Sequence, residues 1–91
     1  MTLHYSRLNN NKDRRRFWES LAAATNGAGL QRALASIDPT SAMVLRWYYT
    51  QGKSFTEITM LLNRSMSIVR NHHNRGIFQL QQYIIKKQVP T

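Results

Sequence analysis

The sequence predicts an all-α protein, a small bundle of about five helices that contains a helix-turn-helix and lacks winged elements. Three observations predict it. Apolar residues recur at three- and four-residue spacings, and strand-like alternation is sparse. Helix start signals stand at Asp38-Pro39 and at Ser54-Phe55-Thr56-Glu57. Stop signals follow at Asn26-Gly27-Ala28-Gly29, at Gly52 and at Asn63.

The 91 residues make one small domain and include no cysteine, so neither a disulfide nor a thiolate metal site staples it. Stability must come from apolar packing, and 42% hydrophobic residues supply it, which excludes a fully disordered chain. Thirteen Lys/Arg against four Asp/Glu give a net charge of +9. So basic a short chain points to an anionic partner, with nucleic acid the commonest, ahead of acidic protein surfaces and anionic lipid. The opening Met1 to Arg7 has no apolar core of a leader, and the run Leu21 to Ala24 falls far short of a span. A cytoplasmic protein without membrane contact is expected.

Residues 1–12, with Asn9-Asn10-Asn11 and no apolar period, read as a flexible basic arm. Lys12 to Arg16 concentrates four positive charges around Asp13. Such a run is usually a solvated face; its functional reading is a phosphate-contacting arm or helix start. Residues 13–37 hold the N-terminal helices. The first runs from about Asp13 to Thr25, with Phe17, Leu21 and Ala24 on one stripe and Trp18 beside it. Leu30 to Ile37 forms the second, with Leu30, Ala33, Leu34 and Ile37 facing inward.

Residues 38–91 hold three more helices. Asp38 caps the third and Pro39 occupies its first turn, where a missing N–H costs nothing. Val44, Leu45, Trp47 and Tyr48 give it apolar bulk, and it runs to about Gln51. Ser54 to Glu57 forms a capping box at the start of the fourth, in which the serine oxygen accepts from an amide and the glutamate reaches back. Phe55, Ile58, Met60, Leu61 and Leu62 are expected to pack inward from this two-turn helix. Asn63-Arg64-Ser65 is the turn, and Ser65 or Ser67 caps a long fifth helix ending near Lys87, before Val89-Pro90. Its seam is Val69, His73, Gly76, Leu80 and Tyr83. Gly76 costs about 1 kcal/mol there relative to Ala, which a close helix approach would explain. From Arg64 to Lys87 there are five Lys/Arg and no acid. Met66, Ser67, Arg70, Asn71 and Asn74 lie away from the seam, in the first turns that reach base edges when a helix enters the major groove. Ile77, Phe78, Ile84 and Ile85 are expected to be exposed, for a homodimer or partner surface or for the N-terminal helices.

Residues 38–80 resemble region 4 of the sigma-70 family of bacterial RNA polymerase sigma factors, and more distantly the LuxR-type helix-turn-helix. The resemblance rests on Pro39, Val44-Leu45-Arg46-Trp47-Tyr48-Tyr49, Gly52, Ser54-Phe55-Thr56-Glu57-Ile58-Thr59, Leu62, Ser65, Ile68-Val69-Arg70 and Arg75-Gly76 ahead of Leu80, in order and in spacing. It covers roughly half the chain. Thr59 stands for the family's Ala, Asn63 for its Gly, and His73 for an apolar residue. The chain is short for a sigma domain that melts DNA, so an isolated region 4 is expected rather than a complete initiation factor. The resemblance implies double-stranded DNA as partner, with Met66, Ser67, Arg70 and Asn71 reading bases of a −35-like element. Arg70 would fork onto guanine and Asn71 pair with adenine, while Met66 offers a thymine methyl an apolar contact. Arg46, Lys53, Arg64 and Arg75 are the candidates for phosphates. Region 4 also docks on RNA polymerase core and is grasped by anti-sigma proteins, so a protein-interaction module is the alternative, and a dimeric LuxR-like regulator another.

No catalytic, cofactor or metal set competes with this reading. Gly52-Lys53-Ser54 lacks the glycine a phosphate-binding loop requires at position 47, which is Trp47. His72 and His73 point about 100° apart on a helix, with no third ligand suitably spaced. Asn63-Arg64-Ser65 matches a glycosylation acceptor by chance. Trp18, Trp47, Tyr48 and Tyr49 fall at helical spacing that suits a core better than base stacking. The acids at 13, 19, 38 and 57 are too scattered for paired acid–base work, so no enzyme is expected.

Overall fold

The computed structural model describes residues 11–25 and 28–88. They form α1 (Asn11–Ala24), α2 (Ala28–Ser36), α3 (Pro39–Leu45, continued by one π turn over Arg46–Thr50), α4 (Phe55–Leu62) and α5 (Met66–Gln88). No strand occurs among the described residues, and none of their helices is long and apolar enough to cross a membrane. The all-α bundle is as expected. Helix α1 starts at Asn11, two residues before the expected Asp13; most of the expected arm, and Asn26-Gly27, lie outside the described residues.

The start signals work as the chemistry requires. Asp38 Oδ2 accepts from the Ser41 amide at 3.0 Å, and Ser54 Oγ accepts from the Glu57 amide at 3.1 Å while Glu57 Oε1 accepts from the Ser54 amide at 3.0 Å. These amide bonds hold both carboxyls below their usual range. Asn63 ends α4 at φ 54°, ψ 48°, the left-handed conformation. Ser65, not Ser67, closes the start of α5, its Oγ accepting from the Ile68 amide at 3.3 Å.

The π turn was not legible in advance. Its widened ring is closed by the Gln51 amide on the Arg46 carbonyl at 3.2 Å, and the Lys53 amide then reaches back to Trp47 at 3.0 Å, with Gly52 at φ 68°. A wider turn brings consecutive side chains closer around the axis. That lets adjacent Tyr48 and Tyr49 both be buried, with Trp47 half-buried beside them.

Helix α5 is the spine: α3 lies along it, and α2 and α4 pack on it. Val69, His73, Gly76, Ile77, Leu80 and Ile84 are its buried residues. They meet Leu30, Ala33 and Leu34 of α2, Val44 and Leu45 of α3, and Ile58 of α4 in one apolar core. Gly76 has its predicted role, for a Cβ there would stand 2.9 Å from Leu45 Cδ1 and 3.2 Å from Ser41 Cβ.

Four expectations are corrected. Met60 (71% exposed) and Leu61 (53%) face outward, leaving Ile58 as the buried residue of α4, with Phe55 and Leu62 partly covered. An eight-residue helix packed on α5 and on the π turn leaves its far side, with Met60 and Leu61, in solvent. Ala24 is exposed, and Trp18 with Leu21 forms the buried edge of α1. Ile77 and Ile84 are buried, so only Phe78 and Ile85 of that quartet face outward. The third helix keeps its predicted length, but its final turn, Arg46–Thr50, is π rather than α.

Candidate nucleic-acid interface

An aromatic cluster joins α1, α3, α4 and α5. Trp18 stacks on Tyr49 with centroids 5.0 Å apart, Tyr48 stacks on Phe55 at 4.4 Å, and His73 lies edge-on to Tyr48 and Phe55 at 5.4 Å. The aromatics therefore belong to the core, as their spacing suggested.

His73 is almost wholly buried, and both ring nitrogens are engaged. Nδ1 lies 3.0 Å from Asn74 Oδ1 and Nε2 lies 2.6 Å from the Tyr49 hydroxyl. An amide oxygen only accepts, so Nδ1 carries the proton and donates to Asn74, while Nε2 accepts from Tyr49. Burial pushes the His73 pKa down, opposed by the Asn74 contact. The histidine thus takes an apolar position of the seam as a neutral ring, with no polar atom stranded.

The neighbouring His72 turns elsewhere. Its Nδ1 lies 3.2 Å from Ser41 Oγ and 3.6 Å from Asp38 Oδ2. Serine, histidine and aspartate together invite a hydrolytic reading, but nucleophile activation needs serine and carboxylate on opposite ring nitrogens. Here both meet Nδ1, and Ser41 is fully buried. The trio is a clamp between the start of α3 and the middle of α5. Spacing alone did not reveal it, because it joins residues 31 positions apart.

Helix α4, the turn 63–65 and α5 form the helix-turn-helix. Beyond its seam, α5 presents Ser67, Asn71, Asn74, Phe78 and Ile85 on one outward stripe, all exposed. Arg70 is exposed beside it. Met66 is only partly exposed and lies on the stripe of His73 and Ile77, so it stands at the margin of the expected reading set. With Ser65 as cap, the Ser67 hydroxyl is not spent on closing the helix.

The four phosphate candidates stand on different elements. Arg64 is exposed in the turn and Arg46 at the start of the π turn. Arg75 lies on the flank of α5 near Asp38, whose carboxyl it helps to hold down. Lys53 is half-buried ahead of α4, near Glu57.

Sequence reasoning missed Arg14. It is 9% exposed, and its guanidinium carbon lies 4.0 Å above the Tyr48 ring while Nη1 donates to the Lys53 carbonyl at 3.2 Å. A shielded cation–π contact of this kind is worth about 1–2 kcal/mol. The signal was present: Arg14, Trp18 and Leu21 fall at i, i+4 and i+7, the buried stripe of α1. No protein-family model, curated protein or solved structure matches the chain.

Proposed function

We propose that this chain binds double-stranded DNA sequence-specifically, in transcription initiation or regulation in the cytoplasm, with α5 in the major groove of a −35-like element. The observation that carries the reading is the outward face of the first turns of α5. There Ser67, Arg70 and Asn71 stand exposed directly after the left-handed turn at Asn63, on a helix without an acid. A helix about 10–12 Å across fits the groove. Arg70 would fork onto guanine O6 and N7, Asn71 onto adenine N6 and N7, and Ser67 would accept or donate. Arg46, Lys53, Arg64 and Arg75 would hold phosphates, and the positive end of the α5 dipole favours the same charge.

Selection of bound duplexes from a random pool, followed by anisotropy at rising salt, tests the reading. One preferred element and an affinity that falls steeply with salt are expected. No binding at low salt would sink the proposal.

A second reading draws on Phe78 and Ile85, 61% and 52% exposed on the outward stripe. They suit docking of a protein, whether RNA polymerase core, an anti-sigma-type regulator or a second copy in a LuxR-like dimer. A palindromic selected site would favour the dimer, because operator symmetry mirrors protein symmetry.

A further inference from the structure

The charge run at the start of α1 divides between two sides of the helix. Lys12, Arg15 and Arg16, at i, i+3 and i+4, share one face and are all exposed. Among the described residues, none of the three forms an ion pair or side-chain hydrogen bond. Arg14 turns the opposite way and fastens the helix: it donates to the Lys53 carbonyl and covers Tyr48, while Trp18 stacks on Tyr49.

We infer that Lys12, Arg15 and Arg16 form a second phosphate-binding surface, which grips the DNA backbone beyond the stretch read by α5. The inference rests on the DNA-binding reading above. Three features carry it. The ridge is a fixed part of the body, so its cations are presented in a set arrangement rather than on a loose arm. It adjoins the link before α4, because Arg15 and Glu19 line one open groove together with Trp18, Tyr48, Tyr49 and residues 50–52, which precede Lys53 in the chain. Its counter-charges are few: Glu19 lies on the same face, Asp13 stands beside Lys12 in the first turn, and Glu57 lies near Arg14 and Lys53 rather than on the ridge. The ridge itself presents Lys12, Arg15, Arg16 and Glu19 without an apolar side chain, which suits a polyanionic backbone better than a membrane or an apolar protein groove. Phosphate contacts position a duplex without specifying its sequence, so this surface adds affinity uniformly.

The test compares the wild type with Lys12→Ala/Arg15→Ala/Arg16→Ala by anisotropy across a salt series, on the selected duplex and a scrambled one. Arg32→Ala, an exposed charge on α2, is the control. Each lost phosphate contact removes about 0.9 from the slope of log affinity against log salt, so the triple variant should lose about 2–3. Its affinity should fall by the same factor on both duplexes, and Arg32→Ala should keep the wild-type slope. If the triple variant melts early, glutamine replacements at the same positions repeat the test while keeping a polar, unbranched side chain and the helix propensity. A wild-type slope in the variant, or an equal loss in Arg32→Ala, overturns the second surface and leaves the α5 reading intact. Failure of the wild type to bind any duplex overturns the DNA reading itself.

Discussion

Gly76→Ala sets two opposed effects against each other, and the structure decides between them. Alanine gains about 1 kcal/mol over glycine in a helix interior. Its Cβ would stand 2.9 Å from Leu45 Cδ1, 3.2 Å from Leu45 Cγ and 3.2 Å from Ser41 Cβ. Carbon atoms attract best at about 3.5–4.0 Å, so all three contacts are too close. Leu45 is 0% exposed and has nowhere to swing, and Ser41 Cβ is fixed to the α3 backbone. Overpacking of this kind costs about 1–3 kcal/mol. The sum is a net loss of about 1 kcal/mol, or roughly 4–8 °C in Tm for a domain of this size. Urea denaturation of Gly76→Ala, Leu45→Ala and the double variant measures it. In the Leu45→Ala background the alanine should cost less than in the wild type, because two of the three close contacts are gone. A Gly76→Ala variant more stable than the wild type would refute the close approach of α3 and α5.

Two further outcomes follow from the same packing. His73 is buried neutral with its pKa pushed below the ordinary value, so the unfolded chain takes up the proton first; its stabilisation is complete above about pH 6.5 and is lost as pH falls through the folded value. Thermal melts from neutral pH down to about 4.5 should show a Tm decline that is shallower in His73→Phe, and equal declines would count against the buried neutral ring. Asn63 sits at φ 54°, so Asn63→Gly should be tolerated, whereas Asn63→Val should cost about 1–2 kcal/mol in urea midpoint measurements. Equal stability of the two variants would mean the turn relaxes to another conformation.

Local rules carried far in this chain where the cause is local. Asp38, Ser54, Glu57, Asn63 and Gly76 act as their residue types dictate, because capping, the left-handed turn and close helix approach are decided within a few residues or by the lack of a side chain. The helix count followed from them. What escaped depends on long-range packing. Met60 and Leu61 read as inward until α4 packs on α5 and the π turn by its other side. Ile77 and Ile84 read as exposed until the other helices pack on α5 and draw both into the core. Arg14 read as part of a solvated run, although its place on the stripe of Trp18 and Leu21 marked it for burial. The π turn over Arg46–Thr50 has no spacing signature beyond three consecutive aromatics. At the candidate site, the exposure of Ser67, Arg70 and Asn71 was legible from the seam opposite them, whereas the marginal place of Met66 required the packed helix.

The central claim is that α5 reads base edges, and Arg70 tests it most directly. The measurement is the affinity of the wild type and Arg70→Ala for the selected duplex and for duplexes altered at one position at a time. The account predicts that Arg70→Ala loses about 1–3 kcal/mol on the selected duplex and becomes indifferent to base identity at one guanine position, with preferences elsewhere retained. A variant that weakens equally on every duplex, or keeps the full wild-type preference at each position, would contradict it.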